Sequence, residues 1–387
     1  MENYGLGQYG SINAFVAAKL QRLDAAEVGF ASLFELMFSE KENLMYEKST
    51  GYRIQKTTYG EAYDDIFYLA QTVKTTLSLE ENAVVGLSMD NSLLWIELFW
   101  AILLAGYRPL LMNLRLSDSA LEQAIKDCGV RAVISDGRQY SVKTIAADSL
   151  QRASEKLAPS RFGEEILVMS SGTSDHVKIC AYSAEEFRCQ IHDSYHIIQE
   201  CTQAKKHYDG HIKQLCFLPF YHVFGLIAMY IWFAFFSRAF VQLNDMAPQT
   251  ILNTIKRHKV THIFAVPLFW ETVYDQAMKT IKSHGDKTYK KFQKGMQIAR
   301  RLSGSPALSR AFAKKAFREV RDNLFGDSIC FLITGGSAIR PEVIEFFNAI
   351  GYHLADGYGM TEIGITSVEL SVIPRQRNTC SVGTPMT

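Results

Sequence analysis

The fold is decided by the stretch Ser328-Ile329-Cys330-Phe331-Leu332-Ile333-Thr334-Gly335-Gly336-Ser337. Its apolar half predicts a buried strand, and its glycines predict a tight turn at the carboxyl end of that strand. Pro341 suits the first turn of the helix that follows, and Gly351 suits its end. The spacing therefore predicts a strand, a glycine turn and a helix in succession, as in an α/β protein.

A second glycine turn follows in Asp356-Gly357-Tyr358-Gly359-Met360-Thr361-Glu362, after a short predicted strand over 352–355. Open parallel sheets bind ligands where such loops leave the carboxyl ends of neighbouring strands. Glycines admit a flat base, Tyr358 offers a stacking face, and Glu362 offers a hard oxygen ligand for Mg²⁺. A pair of ordinary tight turns with a surface glutamate explains the same residues equally well.

The same alternation of strands and helices begins near Leu44. Thr58 and Glu61 form a capping-box pair that opens one helix, and buried strands are predicted over 83–89, 109–112 and 131–134. Strands that are apolar throughout indicate a mainly parallel sheet covered on both faces. The fold class predicted is α/β, in two or three lobes.

Composition excludes several classes of protein. The 387 residues are 48% hydrophobic and carry a formal net charge of +1, which excludes a disordered chain and gives nucleic acid no global attraction. The seven cysteines contain no C-x-x-C pair, which favours reduced thiols in a cytoplasmic protein over disulfides or a zinc site.

Two segments raise the question of a membrane. Residues 223–236 are almost wholly apolar but too short for a span, so they predict a buried helix. Residues 275–325 are rich in Lys and Arg. Within them, an amphipathic helix is predicted over 310–324, where Phe312, Ala316, Val320 and Leu324 recur every four residues, with Ala313 and Phe317 beside them. One solvated and one core face explain this pattern best, and a basic helix on an anionic membrane surface is the alternative.

A further loop, Ser170-Ser171-Gly172-Thr173-Ser174-Asp175-His176-Val177-Lys178, lies between two predicted strands. Clustered hydroxyls, a glycine and a lysine suit the oxygens of a polyphosphate, although an ordinary hairpin loop uses the same residues. His222 lies in a strand-to-helix turn, Leu218-Pro219-Phe220-Tyr221-His222-Val223-Phe224-Gly225. A histidine beside an apolar helix more often has a structural role than a catalytic one, although it can bind a carboxylate or a phosphate.

Taken in order, these segments resemble the adenylate-forming superfamily of acyl-CoA synthetases, luciferases and peptide-synthetase adenylation domains. Residues 170–178 are similar to the phosphate loop of that family, T/S-S-G-T/S-T-G-x-P-K, 218–225 to its L-P-x-x-H-x-x-G segment, and 358–362 to its Y-G-x-T-E motif. Residues 333–339 and 346–351, with the basic insert before them, resemble the long-chain fatty acyl-CoA synthetases in particular.

The resemblance implies a fold of two parallel-sheet αβαβα lobes and part of a small β-barrel. It places a helical extension at 1–43 and the AMP-binding domain at 44–387. Within that domain, lobe one covers about 44–215, lobe two about 216–387, and the insert covers 275–325. The mobile C-terminal domain of the family cannot be located in this chain, so we expect the fragment itself to turn over poorly.

The resemblance also implies a reaction: a carboxylic acid attacks Mg·ATP to give an acyl-adenylate, and a thiol such as CoA then displaces AMP. His222, Thr361, Glu362 and Lys178 would be catalytic, with Glu362 as the metal ligand. The nucleotide would be held by Ser170, Ser171, Gly172, Thr173, Ser174, Lys178, Gly335, Gly336, Ser337, Asp356, Gly357, Tyr358, Gly359 and Thr361, and the acid by His222, Phe224, Gly225 and Gly336. The expected partners are small molecules (a carboxylic acid, ATP and CoA) and no nucleic acid, with a homodimer and a membrane contact left open.

Two residues of the phosphate loop depart from the family pattern: Asp175 replaces the usual Gly, and Val177 the usual Pro. A carboxylate near phosphate repels it, so we expect weaker ATP binding than in a typical member. The substrate is expected to be a fatty acid. The alternatives are an aryl or amino acid, or an impaired nucleotide-binding module without catalysis.

Overall fold

Residues 9–158, 160–170, 177–200 and 212–386 are described by a computed structural model. The chain divides into two units. The first comprises residues 1–192, 218–242 and 361–364, and the second comprises 193–217, 243–360 and 365–387. Each unit contains one set of the predicted site residues.

The first unit contains a six-stranded sheet in the order β6-β5-β3-β4-β7-β8, parallel except for the last pair. A smaller group, β10-β1-β2, lies elsewhere in this unit. The strands are β1 (Leu44–Thr50), β2 (Arg53–Thr58), β3 (Val84–Ser88), β4 (Arg108–Leu111), β5 (Val130–Ser135), β6 (Lys143–Ala146), β7 (Ile166–Met169), β8 (Ile179–Tyr182) and β10 (Ala239–Val241).

Helices cover this sheet because each has an apolar side to bury. They are α1 (Ile12–Ala25), α2 (Phe30–Met37), α3 (Tyr59–Leu77), α4 (Leu93–Leu104), α5 (Asp118–Asp127) and α6 (Ala184–Glu200), whose last residues belong to the second unit. The predicted capping box of α3 is complete: Glu61 N–H donates to Thr58 Oγ1 at 3.1 Å, and Thr58 N–H donates to Glu61 Oε2 at 2.7 Å.

The second unit contains strands in the order β15-β14-β13-β12-β11-β9. They are β9 (Lys213–Leu215), β11 (His262–Ala265), β12 (Phe331–Gly335), β13 (Leu354–Met360), β14 (Gly364–Val368) and β15 (Thr384–Pro385). β11, β12 and β13 are parallel, whereas β14 and β15 pair antiparallel. The two parallel-dominated sheets confirm the predicted α/β class, and the strands of the described residues form no closed barrel.

The helices of the second unit include the basic segment. They are α8 (Pro248–His258), α9 (Pro267–Ser283), α10 (Asp286–Leu302), α11 (Pro306–Ala316), α12 (Arg318–Asn323), α13 (Pro341–Ala349) and α14 (Pro374–Arg377). Five of them, α8, α9, α11, α13 and α14, begin with the proline that their sequence places at the first helical position.

The apolar segment 223–236, predicted to be a buried helix, contains helix α7 of the first unit. It begins as a π-helix (Phe224–Ile231) and continues as an α-helix (Trp232–Phe235), and all of its residues are buried. The prediction of a buried helix is therefore confirmed. In the described part of the chain, no helix is both long and apolar enough to cross a membrane.

The single amphipathic helix predicted over 310–324 is wrong in two respects. The chain breaks at Phe317 between α11 and α12, and Ala316 is exposed, whereas Ala313 and Phe317 are buried. Arg321 is also buried: it pairs with Asp327 at 2.7 Å and lies 4.5 Å from the ring of Tyr352. Of the predicted apolar face, Ala313 and Phe317 are therefore buried as expected, whereas Ala316 is not.

Candidate functional site

The predicted phosphate loop connects β7 and β8, which pair antiparallel as far as Met169 and Ile179. The Ser170 N–H donates to the carbonyl of Lys178 at 2.9 Å, so both ends of the loop are fixed by the hairpin. Six residues of the loop lie outside the described part of the chain, namely Ser171, Gly172, Thr173, Ser174, Asp175 and His176. The Ser170 hydroxyl is buried and has no hydrogen-bond partner among the described residues.

Strand β8 also reaches the turn that carries Thr361 and Glu362. The Lys178 ammonium lies 3.6 Å from Glu362 Oε1, and the Tyr182 hydroxyl donates to the carbonyl of Thr361. One strand therefore holds the backbone of this turn and places a cation beside its carboxylate. Because a polyphosphate requires a cation and a metal requires an oxygen ligand, the pair is chemically suited to a metal-bound polyphosphate.

Gly364 completes this turn with a φ of 77°. A Cβ at this position would lie 2.5 Å from Oε1 of Gln190 on helix α6. Gln190 and Tyr182 thus pack on opposite ends of the four-residue turn, 361–364. Neither residue belongs to a recognisable motif, and the sequence analysis missed both.

His222 is held in a turn that another missed residue organises. The side chain of Asn91 donates to the carbonyl of Leu218 at 2.6 Å and accepts from the N–H of Phe220 at 2.7 Å. The His222 Nδ1 accepts from the N–H of Phe224 at 3.3 Å, an arrangement that leaves the proton of a neutral ring on Nε2. Burial, and secondarily the charge of Arg115, lowers the pKa of His222. The neutral imidazole with an Nε2 donor is therefore favoured at neutral pH.

Position 225 requires glycine because the start of helix α7 lies very close to the backbone of the preceding turn. A Cβ built at Gly225 would lie 2.0 Å from the carbonyl oxygen of Pro219. No side chain fits at that distance without a backbone shift. Phe224 beside it is only 8% exposed, so the residues after His222 form a packed apolar wall.

In the second unit, the two glycine motifs are neighbours. Strands β12 and β13 pair in parallel with Thr334 beside Asp356 and Gly335 beside Gly357. The predicted loop at 356–362 is therefore wrong in part, since Asp356 to Met360 belong to strand β13. The turn predicted over 334–337 is also wrong in part, since Thr334 and Gly335 belong to strand β12 and the chain bends only at Gly336 and Ser337. Gly336 has a φ of 92°, with its nearest side-chain atom 4.0 Å from a built Cβ.

The environment of these strands is polar and incompletely paired. The Thr334 hydroxyl is buried and has no hydrogen-bond partner among the described residues. Burial raises the pKa of Asp356 to about 6, although the N–H of Gly357 donates to its carboxylate at 3.0 Å. Tyr358 is 50% exposed, and Ser337 and Gly336 are exposed. This edge combines open backbone, an available aromatic face and a buried hydroxyl without a partner, which fits a nucleoside.

A self-contained metal centre is not found in the described part of the chain, where no three His, Cys, Asp or Glu side chains form a ligand cluster. Glu362 has one cation, Lys178, near it and is 41% exposed. Such a carboxylate fits a Mg²⁺ that arrives with phosphate oxygens as its other ligands, because Mg²⁺ is commonly held by one or two carboxylates and substrate phosphates.

A sequence profile described as AMP-binding enzyme matches residues 38–387. Among curated proteins, the chain is 28% identical over 177 residues to long chain acyl-CoA synthetase 6, peroxisomal, of Arabidopsis thaliana. That alignment covers 44% of this chain and 24% of the relative. The chain is also 22% identical over 252 residues to long-chain-fatty-acid–CoA ligase 3 of Saccharomyces cerevisiae. This second alignment covers 59% of this chain and 35% of the relative. The matched stretches thus span only a quarter to a third of these relatives.

Solved structures share the fold at low sequence identity. O-succinylbenzoate CoA synthetase from Bacillus subtilis, in complex with its acyl-adenylate intermediate, superposes with a TM-score of 0.68 at 17% identity, over 91% of this chain and 80% of that one. The NpsA N-terminal subdomain from Klebsiella oxytoca, in complex with 3-hydroxybenzoyl-AMSN, gives a TM-score of 0.62 at 14% identity, over 93% of this chain and 80% of that one.

Proposed function

Because this chain belongs to the AMP-binding enzyme family, we propose that it activates a carboxylic acid with ATP and passes the acyl group to a thiol. The proposed acid is a fatty acid and the proposed thiol is CoA. In the first step, a carboxylate oxygen bonds to the α-phosphorus and the bond to the β-phosphate oxygen breaks, releasing pyrophosphate. In the second step, the thiol sulfur bonds to the acyl carbon, AMP leaves, and the thiol proton passes to solvent.

The observation that carries this proposal is the pairing of Lys178 with Glu362 at 3.6 Å. The two side chains come from distant motifs, yet strand β8 brings them together at an exposed turn. In the proposed complex Lys178 binds phosphate oxygens and Glu362 holds Mg²⁺, which would neutralise the charge that grows on the departing pyrophosphate. Ser170 and the four residues after it, 171–174, would contribute hydroxyl and backbone donors to the same phosphates.

His222 would orient the acid. Its neutral ring offers an Nε2–H donor, because Nδ1 accepts from the backbone of Phe224. We propose that this donor binds an oxygen of the carboxylate or of the α-phosphate, and that the backbone of Gly225 leaves room for the reacting groups. Thr361 would contact phosphate through its side chain, since its carbonyl is already bonded to Tyr182.

The adenosine would lie against the second unit's glycine strands. Gly335, Gly336, Ser337, Gly357 and Gly359 would allow the base to approach the backbone, and Tyr358 would stack on it. Asp356 and Thr334, which lie side by side on β13 and β12, would supply an acceptor and a hydroxyl.

A fatty acid is supported by the two long-chain relatives and by the wholly buried apolar helix α7. The proposed acyl tunnel runs beside this helix, where Phe224 and its neighbours would give an alkyl chain apolar walls. The solved relatives named above carry o-succinylbenzoate and 3-hydroxybenzoyl groups, so an aryl acid is the second candidate. The cysteine pattern supports a cytoplasmic location.

The proposal is tested by thermal unfolding with non-hydrolysable acyl-adenylate analogues of increasing acyl length, alongside Mg·ATP and AMP. A ligand at 100 times its dissociation constant adds about 2.7 kcal/mol of stability. Stabilisation that grows with alkyl length supports a fatty acid, and a maximum with benzoyl analogues supports an aryl acid.

A second comparison distinguishes the proposed enzyme from an impaired nucleotide-binding module without catalysis. If restoring the family residues with Asp175→Gly and Val177→Pro strengthens Mg·ATP binding at least tenfold, the natural loop is impaired. If all analogues leave both proteins unchanged, the nucleotide proposal fails for this chain.

A further inference from the structure

The helical segment 275–325 concentrates positive charge. It contains thirteen Lys and Arg against four Asp and Glu, a formal net charge of +9 in a chain whose total is +1. The remaining residues are therefore net negative. A local excess of this size, in an otherwise balanced protein, attracts an anionic partner to one place.

Within this segment, the charge lies along one side of helix α10. Lys287, Lys291, Lys294, Ile298 and Arg301 follow each other at spacings of three and four residues, which puts them on one face of the helix. All five are exposed, and Ile298 is 43% exposed. We call these five residues the basic stripe.

The opposite side of α10 faces the protein. Phe292 and Ala299 are buried, and the ring of Phe292 meets that of Phe317 at 5.7 Å. The helix is thus anchored through one face, which leaves the basic stripe as its outer face. The basic stripe therefore lies on α10 and not on the helix predicted over 310–324, where Arg321 is buried.

Among the described residues, no acidic side chain pairs with a charge of the basic stripe. In the part of the chain that the structure describes, Lys287, Lys291, Lys294 and Arg301 form no ion pair, whereas the adjacent Arg300 is paired with Glu345. An ordinary solvated helix face carries both signs of charge, with i,i+4 pairs between them. The basic stripe carries a single sign of charge and an exposed isoleucine at its centre.

We propose that the basic stripe of α10 binds an anionic lipid surface. Lysine ammonium groups would reach the phosphate and carboxylate headgroups while their alkyl stems lie along the membrane interface. Ile298 favours lipid over nucleic acid or an acidic protein segment, because an apolar side chain among cations gains by entering the boundary between headgroups and acyl chains. This inference concerns a surface outside the proposed catalytic site and does not depend on nucleotide binding.

Sedimentation of the full chain with vesicles tests the proposal. Vesicles of phosphatidylcholine with 30% phosphatidylserine are expected to bind the protein at about 0.1 M salt, and vesicles of phosphatidylcholine alone are not. Binding should fall steeply at 0.5 M salt, since the screening length shortens. Because each basic side chain at such a surface contributes about a fivefold factor, Lys287→Glu/Lys294→Glu should weaken binding at least about 30-fold.

Two matched controls separate a specific surface from net charge. Lys48→Glu/Lys126→Glu makes the same change in net charge at exposed lysines of the first unit and should leave binding unchanged. Ile298→Ser should weaken binding severalfold, whereas Val28→Ser, at a residue 48% exposed, should not. Circular dichroism and melting curves verify that each variant is folded.

Three outcomes overturn the proposal. One is the absence of sedimentation with the anionic vesicles. Another is an equal loss of binding in both charge-reversal pairs, which would indicate net charge alone. The third is binding to a duplex DNA oligonucleotide as tight as to vesicles together with no effect of Ile298→Ser, which would indicate a general polyanion surface.

Discussion

The Lys178 ammonium and the Glu362 carboxylate lie 3.6 Å apart, and both side chains remain open to solvent, at 75% and 41% exposure. An exposed ion pair of this kind contributes about 0–1 kcal/mol to folding. Little free energy is therefore needed to separate the pair. A ligand that offers phosphate to the lysine and a metal to the carboxylate can replace their mutual contact.

Lys178→Ala is expected to leave folding stability within about 0.5 kcal/mol of the parent, since the side chain is exposed. The same change should weaken Mg·ATP binding by at least tenfold, because a charge-assisted bond to phosphate is lost. Isothermal titration and urea unfolding measure the two quantities. Lys126→Ala, at another exposed lysine, should alter neither. An unchanged affinity for Mg·ATP would contradict the role proposed for Lys178.

Asn91→Leu is expected to destabilise the protein by about 2 kcal/mol, because the carbonyl of Leu218 and the N–H of Phe220 lose their partner. Since these bonds hold the turn of His222, we also expect lower turnover and an altered pH profile in acyl-adenylate formation. Gln123→Leu removes an exposed amide that donates to Asp127 and serves as the control. Lost stability with an unchanged pH profile would assign Asn91 to folding alone.

Gly225→Ala and Gly336→Ala form a matched pair. At Gly225 the new methyl group would lie 2.0 Å from the Pro219 carbonyl oxygen, so overpacking should cost about 3 kcal/mol or more. At Gly336 the methyl group meets open space, and only the positive φ is strained, at about 1–2 kcal/mol. Urea unfolding ranks the two. The Gly336 variant should nevertheless bind AMP more weakly, and equal AMP affinity would count against a base beside that glycine.

Asp356 should make stability depend on pH. Burial raises its pKa to about 6 in the folded chain, above the ordinary value of 3.8, so the folded state holds the proton more tightly than the unfolded state. Its contribution is fully present below pH 3.8 and is lost as pH rises through 6, by up to about 3 kcal/mol.

The measurement for Asp356 is urea unfolding between pH 4 and pH 7.5. The Asp356→Asn variant should not show this decline. As the pH rises above 6, its free energy of unfolding should therefore fall less, relative to its own value at pH 4, than that of the parent. Parallel curves for the two proteins would show that the carboxyl titrates normally.

Local signals in the sequence were enough for much of the fold. Thr58 and Glu61 predicted a helix start because a capping box involves only residues three positions apart. The buried strands and the turn at Gly336 followed from apolar runs that end at glycines. Each of these features depends on neighbours in the sequence, which a pattern can reveal.

The features that were missed depend on distant contacts. Asp356 to Met360 has the composition of a loop, yet it forms a strand because Gly357 pairs with Gly335 on β12. Arg321 looks like a surface residue of a basic helix, but Asp327 and the carbonyl of Ile350 bond its guanidinium in the interior. Asn91 belongs to no motif, and its part in holding the His222 turn is visible only once the chain is folded.

The hairpin of β7 and β8 has a practical consequence for protein engineering. Pairing continues to Met169 and Ile179, and Ser170 bonds to Lys178, so backbone hydrogen bonds outside the segment 171–177 hold its two ends together. We therefore expect that this segment can be exchanged as a unit for the corresponding residues of other members of the AMP-binding enzyme family. Such chimaeras would report how loop composition alone sets the preference for a triphosphate, on a scaffold that stays constant.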